Sequence, residues 1–95
     1  MDTYATKLRN AIDASLRETG GSLKRSSIEV ATYTAQRAAH LATIVGQVGV
    51  EEAVIAERDA VCIYAGVLTT READAADQRI VGIVHAALAI GLASA

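Results

Sequence analysis

Larger apolar residues recur every four positions at the start of the chain. In "DTYATKLRNAIDASLRET" they are Tyr4, Leu8, Ile12 and Leu16, with Ala5 and Ala11 widening the stripe. Lys7, Arg9, Asn10, Asp13 and Arg17 lie largely off it. This spacing predicts an amphipathic helix with one buried face. Gly20-Gly21 predicts its end, because glycine takes the left-handed conformation without a Cβ penalty. Ser26, three residues before Glu29, predicts a capping box and a second helix start. Ala31, Ala35, Ala38, Ala42, Val45 and Gly49 then form a small-residue stripe, flanked by Leu41, Ile44 and Val48. Such a stripe lets another helix come close.

The segment "VGQVGVEE" admits two readings. Gly46 and Gly49 each cost about 1 kcal/mol in a helix interior relative to alanine, which predicts a turn. A new helix would follow, with Glu51 and Glu52 favoured by the dipole in its first turn. No Ser, Thr, Asp or Asn is present to cap that helix. One continuous helix from about Ser27 to Ala65 is therefore the competing reading. Val54, Val61, Ala65 and Leu68 continue at near-helical spacing, with Glu57, Arg58 and Asp59 outside or at a polar contact. Gly66 predicts the end of this stretch. Thr69, three residues before Glu72, repeats the start signal and predicts a last helix from about Thr70 to the chain end.

After Arg79 this last helix, "RIVGIVHAALAIGLASA", carries no charge if His85 is neutral. Ile80, Val84, Leu88 and Gly91 form one stripe, and Val81, Ile83, Ile90 and Leu92 spread around the helix. A helix that is apolar all round is buried all round. The 16 residues from Ile80 fall short of the ~20 that span a bilayer, and no aromatic or basic anchor marks the far end. The expectation is no membrane. A second copy of the chain would instead cover Ile83, Leu88, Ile90 and Leu92, with Gly82, Ala86, Ala89 and Gly91 allowing close approach.

Composition strengthens this picture. Alanine supplies 20 of the 95 residues, proline is absent, and there is no Phe or Trp. Alanine is the best helix former and proline the worst, so the chain is expected to be all-α. A chain of this length forms one domain, 1–95. It buries only about 60–65% of its unfolded surface, and alanine adds little area per residue. The expected fold is a small antiparallel helical bundle of three or four helices that gains stability as a homo-oligomer. The net charge of −2 is not the strongly basic footprint of a duplex nucleic-acid binder. The N-terminus lacks the pattern of a secretory signal, and a cytoplasmic location is expected. The single cysteine, Cys62, lies in the apolar run "AVCIYAG" and is expected to be a small core residue.

Candidate chemistry is sparse. Neither His40 nor His85 has an acidic residue three or four positions before it, so no metal pair of the helical-bundle kind is present. No nucleophile elbow, P-loop or dinucleotide fingerprint occurs. The chain is expected to be non-enzymatic and to need no cofactor. Two helix starts carry hydroxyls with basic residues: Lys24, Arg25 and Ser26 in "GGSLKRSSIE", and Thr70 and Arg71 in "LTTRE". A helix N-terminus presents unpaired N–H groups and a positive dipole end, which attract phosphate. Ordinary capping accounts for the same hydroxyls. If the chain turns at Gly46–Gly49, these two loops share one end of the bundle; if the helix is continuous, they lie at opposite ends.

The segment "TREADAADQRIVGIVHAALAIGLA" resembles the C-terminal part of the phage anti-CBASS sponge family, in which Ser-Arg-Glu opens an alanine-rich terminal helix. The resemblance covers about a quarter of the chain, and the family's early Tyr-His-x-Pro segment has no counterpart. It implies a small all-helical homo-oligomer that sequesters cyclic oligonucleotide signals, with Arg71 as a phosphate ligand. Three functions are thus in view. One is a homo-oligomeric binding or structural module, whose partner is itself. The second is a sponge for a phosphorylated nucleotide. The third is a structural component of a phage or bacterial particle.

Overall fold

A computed structural model describes residues 3–93. The last two residues of the expected terminal helix lie outside this range. Four helices follow in order: α1 (Tyr4–Thr19), α2 (Ser27–Val48), α3 (Val50–Ala65) and α4 (Ala75–Ala93). The described residues contain no strand.

Helix α1 forms as its pattern predicts. Thr3 caps it by accepting from the Thr6 N–H, and Leu8 and Ile12 are buried. Ala11 is exposed, and Ser15 is buried in its place on the inner face. Gly20 ends the helix at φ 71°, its N–H donating to the Leu16 carbonyl. Helix α2 opens on the capping box. The Glu29 N–H donates to Ser26 Oγ at 3.2 Å, and the Ser26 N–H donates to Glu29 Oε1 at 3.3 Å. Its buried face is rotated from the expected alanine stripe: Val30, Ala31, Thr34, Ala38 and Leu41 are inside, while Ala42 is exposed. Thr34 enters the core because its hydroxyl donates to the Val30 carbonyl at 2.8 Å. That bond satisfies the one polar group that burial would otherwise penalise.

The chain does turn within "VGQVGVEE", and it does so on one residue. Gly49 is at once the C-cap of α2 and the N-cap of α3, at φ 87° and ψ 152°. This backbone region is essentially restricted to glycine. Gly46, by contrast, stays inside α2. No side chain caps α3, as the sequence implies. Gly66 ends α3 at φ 75°, with the Val67 N–H reaching back to the Cys62 carbonyl at 2.9 Å. This six-to-one bond is a Schellman-type stop. Leu68, expected on the α3 stripe, lies beyond that stop and is exposed; Val67 is buried instead.

The start of α4 differs from the expectation. Thr69–Glu72 is not its capping box, and residues 70–72 form a turn. The helix begins at Ala75, where Asp74 Oδ1 accepts from the Asp77 N–H at 2.8 Å. Aspartate is at least as good an N-cap as threonine, and it sits closer to the apolar run.

Helices α2 and α3 pair antiparallel about Gly49, so Tyr33 stacks on Tyr64 with ring centroids 4.4 Å apart. Helix α1 runs antiparallel to α4: the Tyr4 hydroxyl donates to the Ala87 carbonyl, and Arg79 pairs with Glu18 at the other end at 2.7 Å. Helix α2 touches all three others, and α1 and α3 do not touch. The core is aliphatic, with Ile12, Leu41, Ile80 and Leu88 its largest fully buried side chains. The helices approach closely to fill it. A Cβ at Gly91 would come within 2.9 Å of Ala38 Cβ, and one at Gly21 within 2.9 Å of Ala76 Cβ.

The two glycines of the turn should separate by mutation. Gly49→Ala is expected to cost about 1–3 kcal/mol, the usual strain of this backbone region. Gly46→Ala is expected to be neutral or stabilising by up to about 1 kcal/mol, since a Cβ there meets nothing within 4 Å. Urea midpoints at unchanged slope measure both.

Candidate functional site

Three places in the bundle have the makings of a site. The first is the loop end that the sequence singles out. The α1–α2 loop packs there against the end of α3 and the first residue of the α3–α4 loop: the Lys24 N–H donates to the Ala65 carbonyl at 3.0 Å, and the Lys24 side chain reaches Gly66. Each candidate phosphate ligand can be placed. Ser26 is the N-cap of α2 and donates its hydroxyl to Glu29 Oε1 at 2.9 Å. Arg25 Nε donates to the Tyr64 carbonyl at 3.3 Å, and its guanidinium lies 4.3 Å from the Tyr64 ring centroid. Lys24 lays its side-chain carbons over Gly66. Thr70 and Arg71 are exposed in the turn before α4, and Thr70 accepts from the Ala73 N–H at 3.0 Å.

The electrostatics at this end are mixed. At the start of α2 the Glu29 carboxylate already takes the anion's place. The Ser26 hydroxyl and backbone N–H hold its pKa below the usual carboxylate value. At the start of α4, Asp74 caps the helix and Asp77 Oδ2 accepts from the Leu68 N–H at 3.2 Å. Thr70 holds the Glu72 carboxyl low through a side-chain hydrogen bond. Both dipole ends are therefore served by the chain's own carboxylates.

The second place is a charged cluster between α2 and α3. Glu57 is 2% exposed. One carboxylate oxygen accepts from Arg37 Nε, and the other lies 2.9 Å from His40 Nδ1. Burial pushes the Glu57 carboxyl up, but the bonds from Arg37 and His40 outweigh it and leave the pKa low. In turn, the bond to Glu57 raises the Arg37 pKa. Arg37 also lies 5.9 Å from the Tyr33 ring centroid. An arginine thus flanks each end of the Tyr33–Tyr64 stack. A shallow groove beside the stack is bordered by Ile28, Glu29, Thr32 and Gln36. Nothing in the sequence identifies this column. Its pairs Arg25–Tyr64, Arg37–Glu57 and His40–Glu57 sit 17 to 39 residues apart, and the turn at Gly49 brings them together.

The third place is an apolar groove of about 340 Å³ between α1 and α4. Tyr4, Leu8 and Ala11 line it from α1, and Ile83, Ala86, Ala87 and Ile90 from α4. Lys7 is the one charged residue in its lining. Of the four residues expected at an oligomer interface, three are available to it. Ile90 is 61% exposed, and Ile83 and Leu92 are half-buried. Leu88 is not, because it points inward with Ile80 and Val84 and is fully buried in its own chain. Within one chain α4 is buried on one side only. Only 28% of its most apolar window is buried, and Gly82, Ala86, Ala89 and Ala93 are exposed. By length and composition α4 could cross a membrane, but its Ile80–Val84–Leu88 face is built into the bundle core.

No group of three metal-ligating side chains occurs among the described residues. His85 is half-buried, and its Nδ1 meets no hydrogen-bond partner there. Cys62 is buried in the core, which pushes its thiol pKa up to about 11 and leaves it protonated at neutral pH.

The class of protein these features define is an all-α, four-helix bundle. No protein-family model matches the chain, and no curated protein or solved structure is significantly similar to it.

The Glu57 cluster gives a stability prediction with a sign. Arg37→Ala leaves the buried carboxylate with His40 as its one partner and should cost about 3 kcal/mol, the low end for breaking a buried ion pair. Glu57→Gln strands a guanidinium that is 30% exposed and can reach water, so its cost should be nearer 1–2 kcal/mol. Because the folded pKa of Glu57 is lowered, its contribution is complete above the ordinary carboxylate value of about 4.3. It is lost as pH falls through the lower folded value. Wild-type stability should therefore drop on acidification below about pH 4.3, and Glu57→Gln should flatten that limb. Denaturant melts from pH 7 to 3 compare the two.

Proposed function

We propose that this chain is a non-enzymatic helical module that works as a homo-oligomer, joined through the outer face of α4 and the groove it forms with α1. The carrying observation is the low burial of α4, 28% over its most apolar window. Apolar patches of this kind, rimmed by polar residues, mark interaction sites on small proteins. Polar residues share the two helices: Asn10 and Arg17 are exposed on α1, and Glu18 pairs with Arg79 of α4. The face carries no catalytic constellation, and its apolar lining suits a protein partner rather than a charged metabolite.

A nucleotide-sequestering role is the alternative. The meeting of the two basic loops at one end of the bundle supports it, with Arg71 and Lys24 exposed. The carboxylates of Glu29, Asp74 and Asp77 at the two helix starts weigh against it. Melting with cyclic di- and trinucleotides tests it directly. A ligand at a hundred times its Kd adds about 2.7 kcal/mol. Absence of any shift removes this reading, and a shift that survives Arg71→Ala removes the site.

For the leading reading, light scattering of the full chain should give a mass above that of one chain. Ile90→Glu should weaken association about tenfold or more, since burying that side chain contributes about 1.5–3 kcal/mol. A wild-type chain that stays monomeric at high micromolar concentration would overturn the proposal.

A further inference from the structure

The groove between α1 and α4 is concave, apolar and cationic at one point. The same bundle carries a convex counterpart at the α2–α3 tip. The single-residue turn at Gly49 makes that tip narrow, with Val48 and Val50 on either side of it, 47% and 57% exposed. Neither valine belongs to the core cluster or to the residues packed against it. The carboxylates next to them, Glu51 and Glu52, are exposed in the first turn of α3. From Ala38 to Glu57 the chain has no lysine or arginine. The tip is thus apolar with an acidic collar, and the groove is apolar with Lys7 in its lining. The groove's own lining comes from α1 and α4 alone, so the tip of the same chain leaves it open.

We propose that the groove receives the α2–α3 tip of a second copy, Val48 and Val50 entering between Tyr4, Ala11, Ile83 and Ile90, with Glu51 or Glu52 meeting Lys7. This specifies the self-association proposed above and rests on it. A groove of about 340 Å³ lies at the small end of the range for specific apolar clefts, roughly 300–1,000 Å³, and suits a short knob rather than a whole helix. The contact joins two different surfaces. It is therefore heterologous, and it builds a ring if the rotation closes and an open filament if it does not. The acidic collar also makes the tip a poor fit for an anionic membrane surface, which attracts basic segments.

The test uses two variants of the full chain that each lose one side of the contact. Val48→Ser with Val50→Ser removes the knob, and Ile90→Glu blocks the groove. Sedimentation velocity should show each alone to associate about tenfold or more weakly than wild type. Mixed together they should form a one-to-one complex and nothing larger, because one intact tip meets one intact groove. Lys7→Glu should weaken assembly, and adding Glu51→Lys with Glu52→Lys should restore it. If Ile90→Glu disrupts the oligomer while the valine variant leaves it intact, the tip assignment falls and the homo-oligomer stands. If the two variants fail to pair, the heterologous contact falls. If wild type is a monomer, the underlying reading falls with it. Circular-dichroism melts confirm that each exposed-site variant remains folded.

Discussion

The bundle depends on one peptide unit. Gly49 holds φ 87° and ψ 152°, so α2 stops and α3 starts with no intervening loop. Everything on the α2–α3 interface follows from this reversal. It sets Tyr33 against Tyr64 and brings Glu57 between Arg37 and His40. It also returns the end of α3 to the start of α2, where the Ala65 carbonyl accepts from Lys24. With a continuous helix those pairs would be tens of ångströms apart, at 1.5 Å of rise per residue.

Around that hairpin the fold solves the problem of a core without large aromatics. The side chains available are mostly alanine and valine, and the helices compensate by approaching closely, as at Gly91 over Ala38. The tyrosines take a different part. Two stack across α2 and α3 between arginines, and the third ties α1 to α4 through the Ala87 carbonyl. Polar groups thus pin the periphery while aliphatic groups fill the centre. Ser15, Thr34 and Glu57 are the buried exceptions, and of these Glu57 alone carries a charge. That charge is held between α2 and α3, and the bonds from Arg37 and His40 offset its desolvation.

Much of this was legible in the sequence, for identifiable reasons. Helix class, the α1 stripe, the Ser26 capping box and the stops at Gly20 and Gly66 are local signals, encoded within four residues of where they act. The α4 start was misplaced because "TTRE" and Asp74 both look like caps, and only packing chooses between them. Leu88 was misassigned for a similar reason: a helix apolar on every side does not reveal which side its neighbours cover. The Glu57 cluster and the tyrosine–arginine column were invisible. Apart from Arg37 on Tyr33 within α2, they pair residues from opposite sides of the Gly49 turn, and no spacing along the chain encodes such a pairing. At the loop end the basic residues are visible in the sequence, but that Glu29, Asp74 and Asp77 occupy the same helix starts is set by the fold.

The one-residue turn has a further consequence, in the entropy of assembling the chain. The Arg37–Glu57 bond closes a loop of 20 residues, whereas the Tyr4–Ala87 bond closes one of 83. Loop-closure entropy grows with the logarithm of length, so the second closure costs on the order of 1 kcal/mol more than the first. The α2–α3 hairpin is the least costly piece of this molecule to form, and α1 against α4 the most costly. The surface that joins the two ends of the chain is thus also the one that gains most, in closure entropy, from anything that holds α1 and α4 together.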